Sequence, residues 1–373
     1  MDTPALIWNG KVNGMLSGQD VLVEFVCWVM GILIVVAVLG FGPVVCFAGT
    51  IQFPEKTWEH RAPLELGMDG ALLDTLSQNL GGRGCVVKDG YVVKTWGDAS
   101  ELGDWMSSVK PLFGTLLFFA IEEGLANGVD DRMADLGWDL KSKDQDMTFL
   151  HLMNMTSGYA RAEKPGMAWA YNDFAIQLYQ KSLFEKVFKE DATEVLRSRL
   201  GDLQFEDGIH FRTDKPRLKA STRDFARLAW FWCQRGVWQE KHILPKHYFD
   251  TYMRPLTPKD LPLSEGDDTG DYLGIESFGG GSAHFTKFGA GIYGCNWWFN
   301  ETGALHPDLL TWPDAPKDTV MSIGAGGNNA VMIPSLNVVL VSAKGDWGKL
   351  DAGNVDSPFN QSIKLLVRAV KSD

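Results

Sequence analysis

The sequence predicts an α+β fold: an antiparallel sheet built from N-terminal and C-terminal strands, flanked by helices, with an α-rich inserted region at about 125–260 that walls a cleft. Three observations predict it. A hairpin pattern stands early in the chain, a second stands near its end, and the tract between them is dominated by helical spacing.

The elements follow in order. Between residues 55 and 80, Leu66, Ala71, Leu72, Leu76 and Leu80 have helix-compatible spacing. The first hairpin is Cys85 to Lys88, a turn at Asp89–Gly90, and Tyr91 to Trp96; Asp-Gly is a two-residue turn signal. Ser107 then begins an amphipathic stretch through Leu112, Phe113, Leu116, Leu117, Ala120 and Ile121 to Gly124. Pro111 falls in its first turn, where a missing N–H does no harm. Helical segments recur at 148–154 and 221–230. The second hairpin is Asn329 to Ile333, a turn at 334–337, and Val338 to Ser342, followed by a closing helix at about 357–371.

At 373 residues and 45% hydrophobic content, the chain can bury a large core. Its net charge of −12 and the lack of a basic run argue against a nucleic-acid partner, which needs cationic groups to replace condensed counterions. The five cysteines are scattered and odd in number, so they make no disulfide framework. His242 and His247 are five apart with Pro245 between them, which is not a ligand spacing, and no metal site is expected.

From Phe25 to Pro54 there is no charged residue, and the centre of that run is apolar enough to span a bilayer as a helix. The expected organisation is therefore 1–54 as an N-terminal segment with a transmembrane anchor or signal-like helix, and 55–373 as the main folded domain. The anchor reading places that domain outside the cytoplasm, periplasmic or at the cell surface. A cleaved signal peptide ending near Cys46–Phe47–Ala48 would make it secreted, although a basic n-region is missing. Cys46 as a lipidated residue is disfavoured by Val45, and a buried core helix is the plain alternative.

Ser-x-x-Lys occurs once, at Ser107–Ser108–Val109–Lys110. On a helix, side chains at i and i+3 share a face, so a lysine that loses its proton lies beside the serine hydroxyl. A helix start adds free N–H groups that favour an oxyanion. The ordinary reading is an N-cap serine followed by a solvated lysine. Tyr171–Asn172–Asp173 supplies a phenol that can relay protons when a lysine holds it; otherwise Tyr171 is a packed loop residue. Ser322–Ile323–Gly324–Ala325–Gly326–Gly327 stands before the last hairpin, where glycines let a substrate backbone approach closely and leave a free N–H.

In order and spacing these three motifs resemble the serine β-lactamase and penicillin-binding-protein superfamily, and within it the class C β-lactamase and esterase branch, from about Trp58 onward. Supporting stretches are Val87 to Tyr91, Ala120 to Gly124, Thr148 to Leu152 with Met155 to Gly158, and Ile333 to Val338. The serine-lysine signature is shared with related enzymes. The resemblance implies a β-lactamase/transpeptidase-like fold, an acyl-enzyme on Ser107, and base and proton-relay work shared by Lys110 and Tyr171. It also implies an oxyanion hole from the N–H groups of Ser107 and Ala325, with Asp173, Ser322 and Gly324 as substrate-side positions. No cofactor is implied.

The departures narrow the chemistry. Ser322 stands where the family usually has Lys or His to grip a substrate carboxylate, and Ile323 replaces a hydroxyl residue. Asp173 stands in place of Asn; close to Lys110 it would favour the charged lysine and shift the base role toward Tyr171. The expected substrate is therefore a neutral carboxylic ester or amide. The alternatives are a D-alanyl-D-alanine carboxypeptidase or β-lactamase, and a catalytically silent relative that binds peptides or cell-wall fragments. Trp169, Trp297, Trp298, Trp312 and Tyr293 are candidates to line an acyl pocket, with core packing as the plainer role. Ser157 and Ser282 lie beside glycine but in no Gly-x-Ser-x-Gly elbow.

Overall fold

A computed structural model describes residues 51–212, 217–264, 270–277 and 289–371. Seven strands make one antiparallel sheet: β1 (Arg83–Lys88), β2 (Tyr91–Trp96), β3 (Tyr293–Gly294), β4 (Trp297–Phe299), β5 (Val320–Gly324), β6 (Asn328–Ile333) and β7 (Val338–Ala343). Their order is β2-β1-β7-β6-β5-β4-β3, so the early hairpin is stitched to the late one through β1 and β7, with Val86 opposite Leu340. Both hairpins form as their turn chemistry dictates. Asp89 and Gly90 both have positive φ, 52° and 91°, the requirement of a two-residue type I′ turn.

The helices are α1 (Gly70–Leu80), α2 (Lys110–Glu122), α3 (Phe149–Met153), α4 (Asp173–Lys181), α5 (Ala192–Leu200), α6 (Thr222–Cys233), α7 (Lys246–Tyr252) and α8 (Pro358–Ala369). Every residue of β6 and β7 is buried, which requires cover on both faces of the sheet. α6 lies across β1, β6 and β7, while α1 and α8 pack on one another, tied where the Asp69 N–H donates to the Ala369 carbonyl (2.7 Å). Asp69 also caps α1 through its side chain, and this together with the left-handed Gly67 divides the expected 55–80 helix into a 3-10 turn at Pro63–Leu66 and α1.

Two further expectations change. The stretch after Ser107 is not amphipathic in place: Lys110 through Ala120 is buried on all sides, because α2 runs through the core against α4 and α5, with Trp232 of α6 donating to Thr115 Oγ1 (3.0 Å). The inserted region also contributes strands, since Leu218–Ala220 pairs with both Gly103–Asp104 and His210–Phe211. This small sheet ends one residue before the serine-lysine turn.

Ile51–Pro54, grouped by composition with the N-terminal segment, belong to the folded unit: Gln52 pairs with Asp89 through its N–H (2.9 Å), and the Phe53 ring meets Trp230 and Trp238. The rest of the expected anchor lies outside the described residues. Among the described residues, no helix is long and apolar enough to cross a membrane.

Candidate active site

Ser107 sits on a built turn. Asp104, Trp105 and Met106 lead into a 3-10 helix at Met106–Val109 that runs directly into α2. Trp105 is the anchor: its indole N–H donates to the Ala220 carbonyl (2.9 Å) and its ring stacks on Phe225 at 3.9 Å. Met106 takes φ of 50°, uncommon for a residue with a side chain, and its N–H is held by the Asp104 carboxylate (2.9 Å). In a 3-10 turn the side chains at i and i+3 eclipse, so Ser107 and Lys110 are aligned more directly than an α-helix would align them.

The lysine is the hub of the site. Its Nζ donates to Ser107 Oγ (2.8 Å), to the Tyr171 hydroxyl (2.7 Å) and to Asp173 Oδ1 (3.2 Å). Only 4% of Lys110 is exposed. Burial alone would lower its pKa, but the Tyr171 and Asp173 charges and hydrogen bonds outweigh it and raise Lys110 above its ordinary value. Tyr171 and Asp173 are delivered by the start of α4, where Asn172 caps the helix by accepting from the N–H groups of Phe174 and Ala175. The Tyr171 ring stacks on Trp298 of β4 at 21°.

The opposite wall is the turn from β5 to β6. Gly324 N–H donates to Asn329 Oδ1 (3.0 Å) and Asn328 Nδ2 donates to the Ala325 carbonyl (2.7 Å), so two asparagine side chains brace the glycine loop from within. Ala325 follows the last residue of β5 and Ser107 lies in the first turn of its helix, positions where backbone N–H groups fall outside the regular ladder. Ser108, fully buried, joins the two walls: its hydroxyl donates to the Asn328 carbonyl of the strand pair. Between the walls opens a largely apolar cleft of about 800 Å³, lined among others by Ser107, Lys110, Tyr171, Ile323, Ala325 and Trp298.

Residues 71–305 match the family model described as Beta-lactamase. The chain belongs to the β-lactamase family.

Solved structures share the fold of this β-lactamase-family chain. It is similar to a putative 6-aminohexanoate-dimer hydrolase from Bacillus anthracis (14% identity, TM-score 0.59, covering 86% of this chain and 88% of that one). It is likewise similar to a penicillin-binding protein homolog from Caulobacter crescentus (15%, 0.55, 84% and 99%) and to a β-lactamase/D-alanine carboxypeptidase from Yersinia pestis (15%, 0.52, 81% and 98%). No curated protein matches the chain.

The β-lactamase-family fold brings Ser107, Lys110, Tyr171 and Asp173 into one hydrogen-bonded group, with Gly324 and Ala325 on the same cleft. Ser322 is different. Its side chain is wholly buried, its hydroxyl finds no partner among the described residues, and Ile323 takes the cleft-facing position, because successive residues of a strand point to opposite faces. Ser322 is therefore a packing residue and not a substrate contact. Of the aromatic candidates, only Trp298 lines the cleft. Its neighbour Trp297 points the other way, edge-on to Trp232, and Trp169, Tyr293 and Trp312 are fully buried core. Ser157 is buried, accepting from the Tyr159 N–H (3.3 Å), and Ser282 lies outside the described residues.

Sequence reasoning missed Ser108, Asn328 and Asn329. A buried serine bonded to a carbonyl 220 residues away leaves no local pattern. The two asparagines at the head of a strand, where that residue type is depleted, were the one available signal.

Proposed function

We propose that this protein is a serine hydrolase that forms an acyl-enzyme on Ser107 and acts on a neutral carboxylic ester or amide, one that presents no carboxylate for a cation to grip. The observation that carries this reading is the single lysine ammonium donating at once to Ser107 Oγ (2.8 Å) and the Tyr171 hydroxyl (2.7 Å) inside an apolar cleft. A lysine raised by Tyr171 and Asp173 remains an ammonium, which makes it an electrostatic partner for a tyrosinate rather than a base.

In this mechanism Tyr171 accepts the Ser107 proton as Oγ attacks the carbonyl carbon. The oxyanion that forms is held by the N–H groups of Ser107 and Ala325. Collapse of the tetrahedral intermediate breaks the carbonyl bond to the leaving oxygen or nitrogen, which takes the proton back from Tyr171. Water, deprotonated by the same tyrosine, then frees the acid and restores Ser107. Ile323 in the cleft, and the absence of a cation at Ser322, support a substrate without a carboxylate at that end. The apolar N-terminal run supports an extracytoplasmic, membrane-anchored placement.

The test is covalent labelling with an activated fluorophosphonate, followed by a three-substrate comparison on one preparation. The label is expected on Ser107 and lost in Ser107→Ala, and a short-chain nitrophenyl ester is expected to turn over faster than a chromogenic cephalosporin or a D-Ala-D-Ala peptide. Labelling that survives the substitution overturns the nucleophile. A faster cephalosporin or peptide replaces the ester reading with the β-lactamase or carboxypeptidase one, and binding without any turnover identifies a silent relative.

A further inference from the structure

Four charged residues line the cleft, Lys110, Arg217, Asp173 and Asp346, and three of them are paired. Lys110 is matched by Asp173 (3.2 Å), and Arg217 is matched by Asp104 (3.4 Å). Asp346 remains: it lines the cleft, is exposed, and among the described residues makes no ion pair, its carboxylate accepting only the Gly348 N–H (3.2 Å). The neighbouring lysines do not neutralise it. Lys344 reaches away to Glu101 (3.4 Å), and neither Lys344 nor Lys349 lines the cleft.

Its backbone is fixed on both sides. The Asp346 N–H donates to the Leu80 carbonyl at the end of α1 (2.7 Å), and the preceding Gly345 donates to the Gly327 carbonyl (3.2 Å). Gly327 is two residues past Ala325, so the carboxylate flanks the same loop that presents the second oxyanion N–H. Beside it Trp347 and Phe359 reach the cleft only at their edges, being 2% and 3% exposed, with ring centroids 5.2 Å apart and the Trp347 indole locked by a hydrogen bond to Ser342 Oγ (2.7 Å). A carboxylate without an ion pair at the edge of an apolar space is the chemistry that receives an alkylated ammonium, its charge met by the carboxylate and its methyl groups by the apolar wall.

We propose that the Asp346 side of the cleft is a cation subsite, and that the preferred substrates are esters or amides with an uncharged scissile group and an ammonium-bearing arm reaching past Ala325 to Asp346. The proposal rests on the serine-hydrolase reading and sharpens its substrate class. A positive charge at this end is the reverse of the carboxylate that a family member with a cation in the β5 motif would hold.

The experiment compares butyrate esters whose alcohol arm ends in trimethylammonium with their tert-butyl isosteres, over arms of two to six methylenes, so that charge changes while shape does not. With the full-length chain, kcat/KM is expected to favour the charged member of at least one pair about ten-fold or more, with one arm length favoured. The preference falls as salt rises, as screening of a partly exposed charge requires. Asp346→Asn is expected to erase the preference while leaving the neutral isosteres within about two-fold of the parent. Equal rates for every pair, or a preference that persists in Asp346→Asn, overturns the subsite while the tert-butyl esters still report hydrolysis. Failure of all esters, charged and neutral, together with failure of fluorophosphonate labelling, counts instead against the hydrolase reading beneath it.

Discussion

Asp173 Oδ1 lies 3.2 Å from Lys110 Nζ, a charge pair with 5% and 13% of the two side chains exposed. Its consequence is a pH dependence with a definite sign. The folded pKa of Lys110 stands above its ordinary 10.5, so the charged lysine stabilises the folded state fully below pH 10.5, and that contribution is lost as pH rises through the higher folded value. The mechanism also needs the ammonium. Replacing Asp173 by Asn removes one of the charges that hold it, and the alkaline limb of the kcat/KM profile is expected to move to lower pH. A limb that does not move would mean Asp173 has no hold on the lysine.

Ser108 acts through Ser107. Its buried hydroxyl fastens the turn that carries Ser107 to the carbonyl of Asn328, and Ser108→Ala leaves that acceptor without its side-chain partner. We expect a stability loss of about 1 to 2 kcal/mol in urea unfolding. We also expect kcat to drop by about 10- to 100-fold with KM little changed, since the binding walls persist but the attack geometry loosens. A change confined to stability would assign Ser108 to packing alone.

Gly326 and Gly327 both take φ of 73°, yet the space around them differs. A Cβ on Gly327 would stand 1.8 Å from the Gly345 carbonyl oxygen, while one on Gly326 meets nothing nearer than Asn328 Nδ2 at 3.7 Å. Gly326→Ala is therefore expected to cost about 1 to 2 kcal/mol, the strain of the left-handed backbone alone. Gly327→Ala should cost several times more or prevent folding, and thermal melting of the pair separates the two cases.

Restoring the family's cation by Ser322→Lys is expected to fail. The side chain at 322 is wholly buried, so the substitution places an ammonium in the core without a partner, a penalty of about 3 kcal/mol or more. Ile323→Thr changes a half-buried cleft position and should leave the melting temperature within a few degrees of the parent. Measurable cephalosporin turnover by a well-folded Ser322→Lys variant would contradict this account.

Asp224 offers a check on the scaffold. It is fully buried in α6, accepts from the N–H groups of Glu206 and Asp207, and burial raises its pKa from 3.8 to about 6. The folded state therefore holds its proton more tightly, and the stability this group contributes is lost as pH rises from about 4 through 6. Comparing the pH dependence of the melting temperature in Asp224→Asn with that of the parent isolates the effect; parallel curves would count against it.

The sequence made the two hairpins legible because each carries its own turn chemistry, Asp89–Gly90 in one and Pro334 to Asn337 in the other. Their joining through β1 and β7 followed from the position of strands at both ends of the chain. Ser107, Lys110 and Tyr171 were legible as candidates from residue type and spacing, and the resemblance in motif order joined them to Asp173. What remained hidden was set by direction rather than composition. Alternation along β5 turns Ser322 inward and Ile323 outward, and alternation along β4 sends Trp297 to the core and Trp298 to the cleft. The division of the 55–80 segment by Asp69 and Gly67, and the clasp between Ser108 and Asn328, depend on contacts that no local window contains.

The pairing of β1 with β7 has a bearing on how the protein is made. Val86 waits for Leu340, and Ser108 waits for Asn328, each more than 200 residues further along the chain. During synthesis, the helices can form as they emerge, but neither wall of the cleft can close until the final hairpin is free of the ribosome. Long-range pairing of this kind folds slowly. A chain that stalls before residue 328 carries Ser107 and Lys110 but lacks Asn328 and the glycine loop, so the cleft between them exists only once the last hairpin has joined the sheet.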